Sequence, residues 1–296
     1  MHRGRKHIFF ILLFPFIFGK CISDVSINDG FKDKEIVLNC ILDTKKDTVF
    51  VYLSYSKPIQ STDLFEPLKD AQIQLLEGKT KIGDFIWSDS SIYILPFSVL
   101  PGKLYRIEAT AGNNKVWAET TVPKAIDAAI EKEISGLYNN NSFLIVLNDN
   151  TEEADYYWIS ATGFEGIEGN RSKNIACVLY SNFEYADDFN RTIYQNGNYR
   201  FEYEYYIRFA DSVLPGKRTE VIFYPQCIDN PIEVYLFSTD YHLDKYMKSS
   251  LLLQSMDLYA EDMPIIYSPF PMYSNINGGT GIFGSYNSVS EKFTGK

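Results

Sequence analysis

The feature that most constrains this chain is a succession of short runs in which apolar and polar residues alternate, about ten residues apart, with turn residues between them. Glu35–Leu42 places Ile36, Leu38, Cys40 and Leu42 on alternate positions, and Thr48–Ser54 sets Val49, Val51 and Leu53 against Phe50 and Tyr52. Ala71–Leu76, Phe85–Trp87, Ile92–Phe97, Leu104–Ala109 and Lys115–Val122 continue the pattern. Successive side chains of a strand point to opposite faces, so each run can bury one face and wet the other. Leu100-Pro101-Gly102-Lys103 is a turn, because proline presets φ and glycine accepts the reversed sign. Residues 35–123 therefore read as a β-sandwich.

A seam follows at Pro123–Gly136, where Ile126, Ile130 and Ile134 allow either a short helix or an extended linker. Residues 124–296 read as a second β-rich domain with one helix. Its strands are expected over Ser142–Leu147, Asp155–Ile159, Ile175–Ser181, a long tyrosine-rich Tyr199–Phe209, Arg218–Tyr224 and Pro231–Ser238. Val213-Leu214-Pro215-Gly216-Lys217 repeats the earlier turn from Val99 to Lys103. Asp240 is placed to cap a helix over Tyr241–Met256.

The first 21 residues say where the chain goes. Arg3, Arg5 and Lys6 form a basic head, Ile8–Phe18 an apolar body, and Gly19-Lys20-Cys21 a small residue and a cysteine at a cut site. That is an export signal, and the apolar run falls well short of the roughly 20 residues that span a bilayer. Residues 1–20 read as a lipoprotein signal peptide with acylation at Cys21, and 21–34 as a polar tether; an ordinary secretory signal is the alternative. Removing the leader takes four of the 28 basic residues (Arg3, Arg5, Lys6, Lys20) and no acidic ones, which leaves 24 against 38 and a net charge of −14. A chain this acidic repels nucleic acid, so no nucleic-acid partner is expected.

Chemistry-bearing residues are sparse. His2 and His7 leave with the leader, and His242 remains, so histidine metal sites are not expected and a catalytic triad would need His242 itself. Cys21, Cys40, Cys177 and Cys227 contain no C-x-x-C. Export permits a disulfide, with Cys177–Cys227 the preferred pair and buried free thiols the alternative. Asn148, Asn150 and Glu152 imitate a calcium loop, but Glu153 stands where the sixth-position glycine belongs, so a hairpin turn is the better reading. Gly279-Thr280-Gly281-Ile282-Phe283-Gly284 fits G-x-G-x-x-G without room for a βαβ unit, and reads as glycines that let backbone pass close to a neighbouring strand. Glu202 and Glu204 would share a strand face and form the carboxylate pair a glycoside hydrolase needs; a solvated face is the commoner reading. No catalytic, cofactor-binding or metal-binding residue is assigned.

Several short stretches, in order, carry a resemblance. They are the leader ending at Cys21, Leu53-Ser54-Tyr55-Ser56, Ala71 after Pro67, Leu100-Pro101-Gly102 with Leu104-Tyr105, and Thr121-Val122-Pro123 with Ile126-Asp127. Later come Asp155-Tyr156-Tyr157-Trp158, Phe209-Ala210-Asp211 with Gly216-Lys217, and Tyr273 through Gly279 with Gly281-Ile282-Phe283-Gly284. With these the chain resembles the Bacteroidota outer-membrane lipoproteins grouped as domain of unknown function 4249. The resemblance implies an immunoglobulin-like or carboxypeptidase-regulatory-like N-terminal sandwich, an outer-membrane location, and a TonB-dependent receptor barrel as partner, with no catalytic residues to carry over. The expected function is a noncatalytic surface lipoprotein serving such a barrel; the alternative is a stand-alone glycan- or peptide-binding module. Which face of the outer membrane it occupies stays open.

Overall fold

The computed structural model describes residues 34–57, 67–89, 92–133, 142–149, 154–167, 171–193, 199–214, 217–227, 231–259 and 272–294. The leader, Cys21, most of the tether, the Pro58–Glu66 loop and the second Pro-Gly turn at Pro215 lie outside the described residues.

The first half gives β1 (Ile36–Asp43), β2 (Thr48–Tyr55), β3 (Gln72–Glu77), β4 (Thr80–Asp84), β5 (Ile86–Asp89), β6 (Ile92–Pro96), β7 (Leu104–Ala111) and β8 (Asn114–Thr121). The second gives β9 (Ala128–Glu133), β10 (Ser142–Asn148), β11 (Tyr156–Ile167), β12 (Arg171–Ala176), β13 (Val178–Ser181), β14 (Arg191–Ile193), β15 (Phe201–Tyr203), β16 (Ile207–Ala210), β17 (Arg218–Gln226), β18 (Ile232–Thr239), α1 (Tyr241–Tyr259) and β19 (Thr280–Phe293). The protein is mostly β, with one α-helix among the described residues.

Three sheets form. A nine-stranded sheet runs β12-β11-β18-β19-β1-β2-β6-β5, with β16 also on β11; a six-stranded sheet runs β14-β15-β13-β17-β10-β9; a four-stranded sheet runs β4-β3-β7-β8. Alternation builds two apolar cores. Leu38, Leu42, Val51, Leu53, Leu75, Tyr105, Ile107 and Val116 pack in the first, together with Phe283 from the far end of the chain. Phe143, Ile145, Leu179, Tyr203, Phe209, Val221, Phe223, Val234 and Leu236 pack in the second. Each core lies between one half of the nine-stranded sheet and one smaller sheet, which is the layering of a sandwich.

β19 joins the two halves. Thr280–Tyr286 pairs in parallel with Val37–Asp43 of β1, and Tyr286–Phe293 pairs antiparallel with Ile232–Thr239 of β18. Phe283 faces the first core, while Val289 and Phe293 pack against the second. The glycines at its start permit the approach: a Cβ on Gly279 would stand 2.4 Å from the Ile36 carbonyl oxygen, and one on Gly281 2.1 Å from that of Leu38.

Three expectations need correction. The seam is neither helix nor bare linker; it forms β9, paired with β10. Ile126 and Ile130 are even-spaced as well as helically spaced, and cover of the second core by alternate residues decides for strand. Ile175–Ser181 is two strands in different sheets, crossing at Cys177. Tyr199–Phe209 also breaks: β15 belongs to the six-stranded sheet and β16 to the nine-stranded one. The break is at Tyr205, whose φ is 69°. The Asn190 side-chain amide clamps it, donating to the carbonyls of Glu204 (3.4 Å) and Tyr206 (2.8 Å).

Candidate functional site

Asp240 builds a polar junction where the two halves meet. Its Oδ1 accepts the backbone N–H of Leu243 at 2.9 Å, the N-cap bond the sequence anticipates, and also that of Ser285 at 3.1 Å. Its other oxygen accepts the Thr120 hydroxyl. Ser285, fully buried, is 3.1 Å from the Thr120 hydroxyl and donates to the Thr121 carbonyl. One carboxylate thus ties β8, β19 and the start of α1. Burial pushes its pKa up, against the lowering effect of these donors. His242, beside it, stacks on Tyr273 and shares a 2.7 Å hydrogen bond with that hydroxyl through Nδ1. The partner described for it is thus a tyrosine hydroxyl.

A second buried cluster holds α1 to the sheet. Arg208, on β16, makes a forked pair with Asp244 at 2.9 Å through both Nε and Nη2, and Trp158 Nε1 donates to the same carboxylate at 3.0 Å. Asp187 Oδ2 accepts from both Arg208 Nη1 and Lys248 Nζ. Arg208, Asp244 and Trp158 are thereby engaged in holding the helix to the sheet.

A different arrangement lies on the six-stranded sheet. A cleft of about 340 Å3 is lined by residues from the end of β13, the start of β17 and Tyr199. Tyr185 is 44% exposed and meets Phe183 edge-on at 5.6 Å. Tyr199 stacks on Tyr224 at 6.0 Å with rings 12° apart. Arg218 pairs with Glu220 at 3.0 Å, and Glu184 with Arg200 at 2.9 Å. The volume falls within the range of small-ligand sites. Aromatic faces beside forked donors and carboxylates suit hydroxyl-rich or peptide groups. The sequence signal for it was the density of tyrosine, glutamate and arginine over residues 180–206; which of them would converge depended on the pairing of β13 with β17.

The residues singled out from sequence are dispersed. Cys177 and Cys227 are joined by a disulfide across 50 residues of chain, and Cys40 is a buried free thiol. Glu202 lies on β15, whereas Glu204 falls past its end, so the two do not form a pair on one strand face. Asn150 and Glu152 lie outside the described residues. Gly279–Gly284 opens a strand and cradles β1 rather than a phosphate. Among the described residues no group of three or more His, Cys, Asp or Glu is placed to hold a metal, and no helix is long and apolar enough to cross a membrane.

No curated protein matches the chain. Among solved structures, it is similar to trypsin-activated alpha-2-macroglobulin from Escherichia coli, at 10% identity and TM-score 0.22, over 70% of this chain and 14% of that one. It is also similar to a DUF4785 family protein from Legionella pneumophila, at 12% identity and TM-score 0.24, over 72% of this chain and 53% of that one. The chicken interferon gamma receptor alpha chain is similar at 7% identity and TM-score 0.18, over 71% and 90%. The chain thus spans a small part of the first and about half of the second, and likenesses at these scores carry no argument about it. The family comparison is of another order: a single family model matches residues 23–292, and the chain belongs to the family described as Domain of unknown function (DUF4249).

Proposed function

We propose that this protein is a noncatalytic lipoprotein, anchored at the outer membrane through Cys21, that serves a TonB-dependent receptor barrel as an accessory and engages a ligand without transforming it. The observation that carries this reading is the leader, a basic head and a short apolar body ending at Cys21. The Cys177–Cys227 disulfide supports it, because such bonds persist in oxidising compartments. In this reading residues 35–123 and 124–296 are two domains stitched by β19. The test is a pull-down from the native host after gentle solubilisation, with Cys21→Ala as control. A large receptor barrel that co-purifies and is lost with the control supports the proposal; the intact, acylated protein recovered alone would overturn the barrel partnership.

The cleft beside Tyr185 and Tyr199 favours a second reading, a stand-alone glycan- or peptide-binding module. Its two carboxylates, Glu184 and Glu220, are each held by an arginine, an arrangement suited to grip rather than to proton transfer. A calorimetric screen of neutral oligosaccharides and short peptides that gives no heat would remove it.

A further inference from the structure

Among the described residues, the nine-stranded sheet carries an apolar row with no element packed over it. Gly284 pairs with Ile41, and a Cβ on Gly284 would stand 2.9 Å from Leu243 Cβ, so α1 covers this face over β19. Beyond β19 no described helix or strand covers the same face. Ile41 lies one position past the Cys40–Val51 pair and so faces Phe50; Phe50 pairs with Ile94, and Ile94 with Ile86. Tyr52, paired with Ile92, forms a second row beside it. Ile41 is 42% exposed, Phe50 40%, Tyr52 51% and Ile86 66%. Six apolar side chains thus lie in register across four strands, four of them exposed and Ile92 and Ile94 half-buried, with Asn39 and Asp89 closing the second row at β1 and β5; a contiguous row differs from hydrophobics scattered singly.

The dimensions limit what can cover the row. Four strands about 4.8 Å apart give a row of roughly 14 Å, widened by about 7 Å at β2 and β6. A stable protein interface takes about 800 Å2 from each partner, so neither a second copy nor a barrel wall is satisfied by this patch alone. A bilayer asks for less: an apolar face enters the acyl–headgroup boundary by about 5–10 Å, with tyrosine at headgroup level. The row also begins at β1, the first of the described strands, and the 14 residues between Cys21 and Ile36 span at most about 50 Å. The β1–β2 turn beside it carries Asp43 and Asp47 against Lys45 and Lys46, so the acidity of the whole chain is not concentrated there.

We propose that this row is the membrane-contacting face of the protein, with Phe50, Tyr52 and Ile86 seated in the outer part of the bilayer that holds the Cys21 lipid. The proposal rests on the anchored reading above. The test uses the full chain purified with its lipid and reconstituted in phosphatidylcholine vesicles with or without brominated acyl chains. A bimane probe is placed at Tyr52→Cys or Ile86→Cys, with Tyr185→Cys in the cleft as control. Cys40 does not compete for label, because it is buried and burial pushes its thiol pKa far up. Brominated lipid is expected to quench positions 52 and 86 about twofold or more and to leave 185 unchanged. Phe50→Glu should abolish quenching at 86 while flotation with vesicles persists. A chain that floats but is unquenched at both positions, or quenched equally at all three, overturns this proposal alone. A dimer by light scattering without quenching assigns the row to a second copy and also overturns it. A chain that does not float overturns the anchored reading and this proposal together.

Discussion

Replacing Gly281 by alanine strikes the strand on which both sandwiches meet. Gly281 has φ +117°, and its added Cβ would stand 2.1 Å from the Leu38 oxygen, 2.8 Å from the Leu38 carbonyl carbon and 2.9 Å from Asn39 Oδ1. The first two atoms are backbone of β1, in the middle of the first core, so no rotamer change relieves them. Holding an L-residue at that φ costs about 1–3 kcal/mol. Forcing β1 and β19 apart against a packed core adds about 1–3 kcal/mol. Gly281→Ala should therefore destabilise by about 2–6 kcal/mol, a shift of about 10 °C in the unfolding midpoint for a chain of this size. Gly78→Ala is the control: φ is +58° and nothing lies within 4 Å of the new Cβ, so only the backbone conformation is charged, about 1–2 kcal/mol. Urea titration read by tryptophan fluorescence reports both halves, since Trp117 lies on β8 and Trp158 on β11. A Gly281→Ala midpoint no lower than that of Gly78→Ala would refute the claim that β19 must approach β1 this closely.

Breaking the Cys177–Cys227 bond by paired alanine substitutions releases a loop of 50 residues and should cost about 4 kcal/mol on the chain-entropy account; urea midpoints equal with and without the bond would contradict it. Asp240→Ala orphans the buried N–H of Ser285 and removes the cap of α1, for a loss of about 2–4 kcal/mol by thermal unfolding. Asp240→Asn keeps an acceptor at Oδ1 and should lose less than half of that, because burial already disfavours the charged form. Glu108 is held at about 2, chiefly by Lys115 and also by Arg106 and Gln74 against partial burial. Its folded pKa lies below the unfolded value near 4.5, so its stabilisation is complete above about pH 4.5 and is lost as pH falls toward 2. Glu108→Gln should flatten the acid limb of the stability profile in that window, and an unchanged limb would refute the assignment.

Most strands were legible because a half-buried strand leaves period-two alternation in the sequence, as in Ile36, Leu38, Cys40 and Leu42. The cap at Asp240 was legible for a similar reason, since its partner Leu243 lies three residues away. Illegible were the events that depend on partners far along the chain. Phe201–Ala210 alternates on both sides of Tyr205, so nothing local marks the change of sheet; the marker is Asn190, more than ten residues upstream. Ile126 and Ile130 fit either period, and only the second core selects the strand. The glycines from Gly279 to Gly284 announced close backbone approach, but not that the approached strand would be β1, some 240 residues earlier and parallel. The cleft inherits this difficulty, because its lining joins residues about β13 to the start of β17 across the six-stranded sheet.

The anchored reading stands or falls at one residue. Peptide mass spectrometry of the N-terminus, on protein taken from the membranes of its host, measures it directly. The account predicts that the mature chain starts at Cys21 and that this residue carries acyl chains. A chain that starts elsewhere, or starts at an unmodified Cys21, would contradict the membrane anchor, the barrel partnership and the bilayer-facing row together.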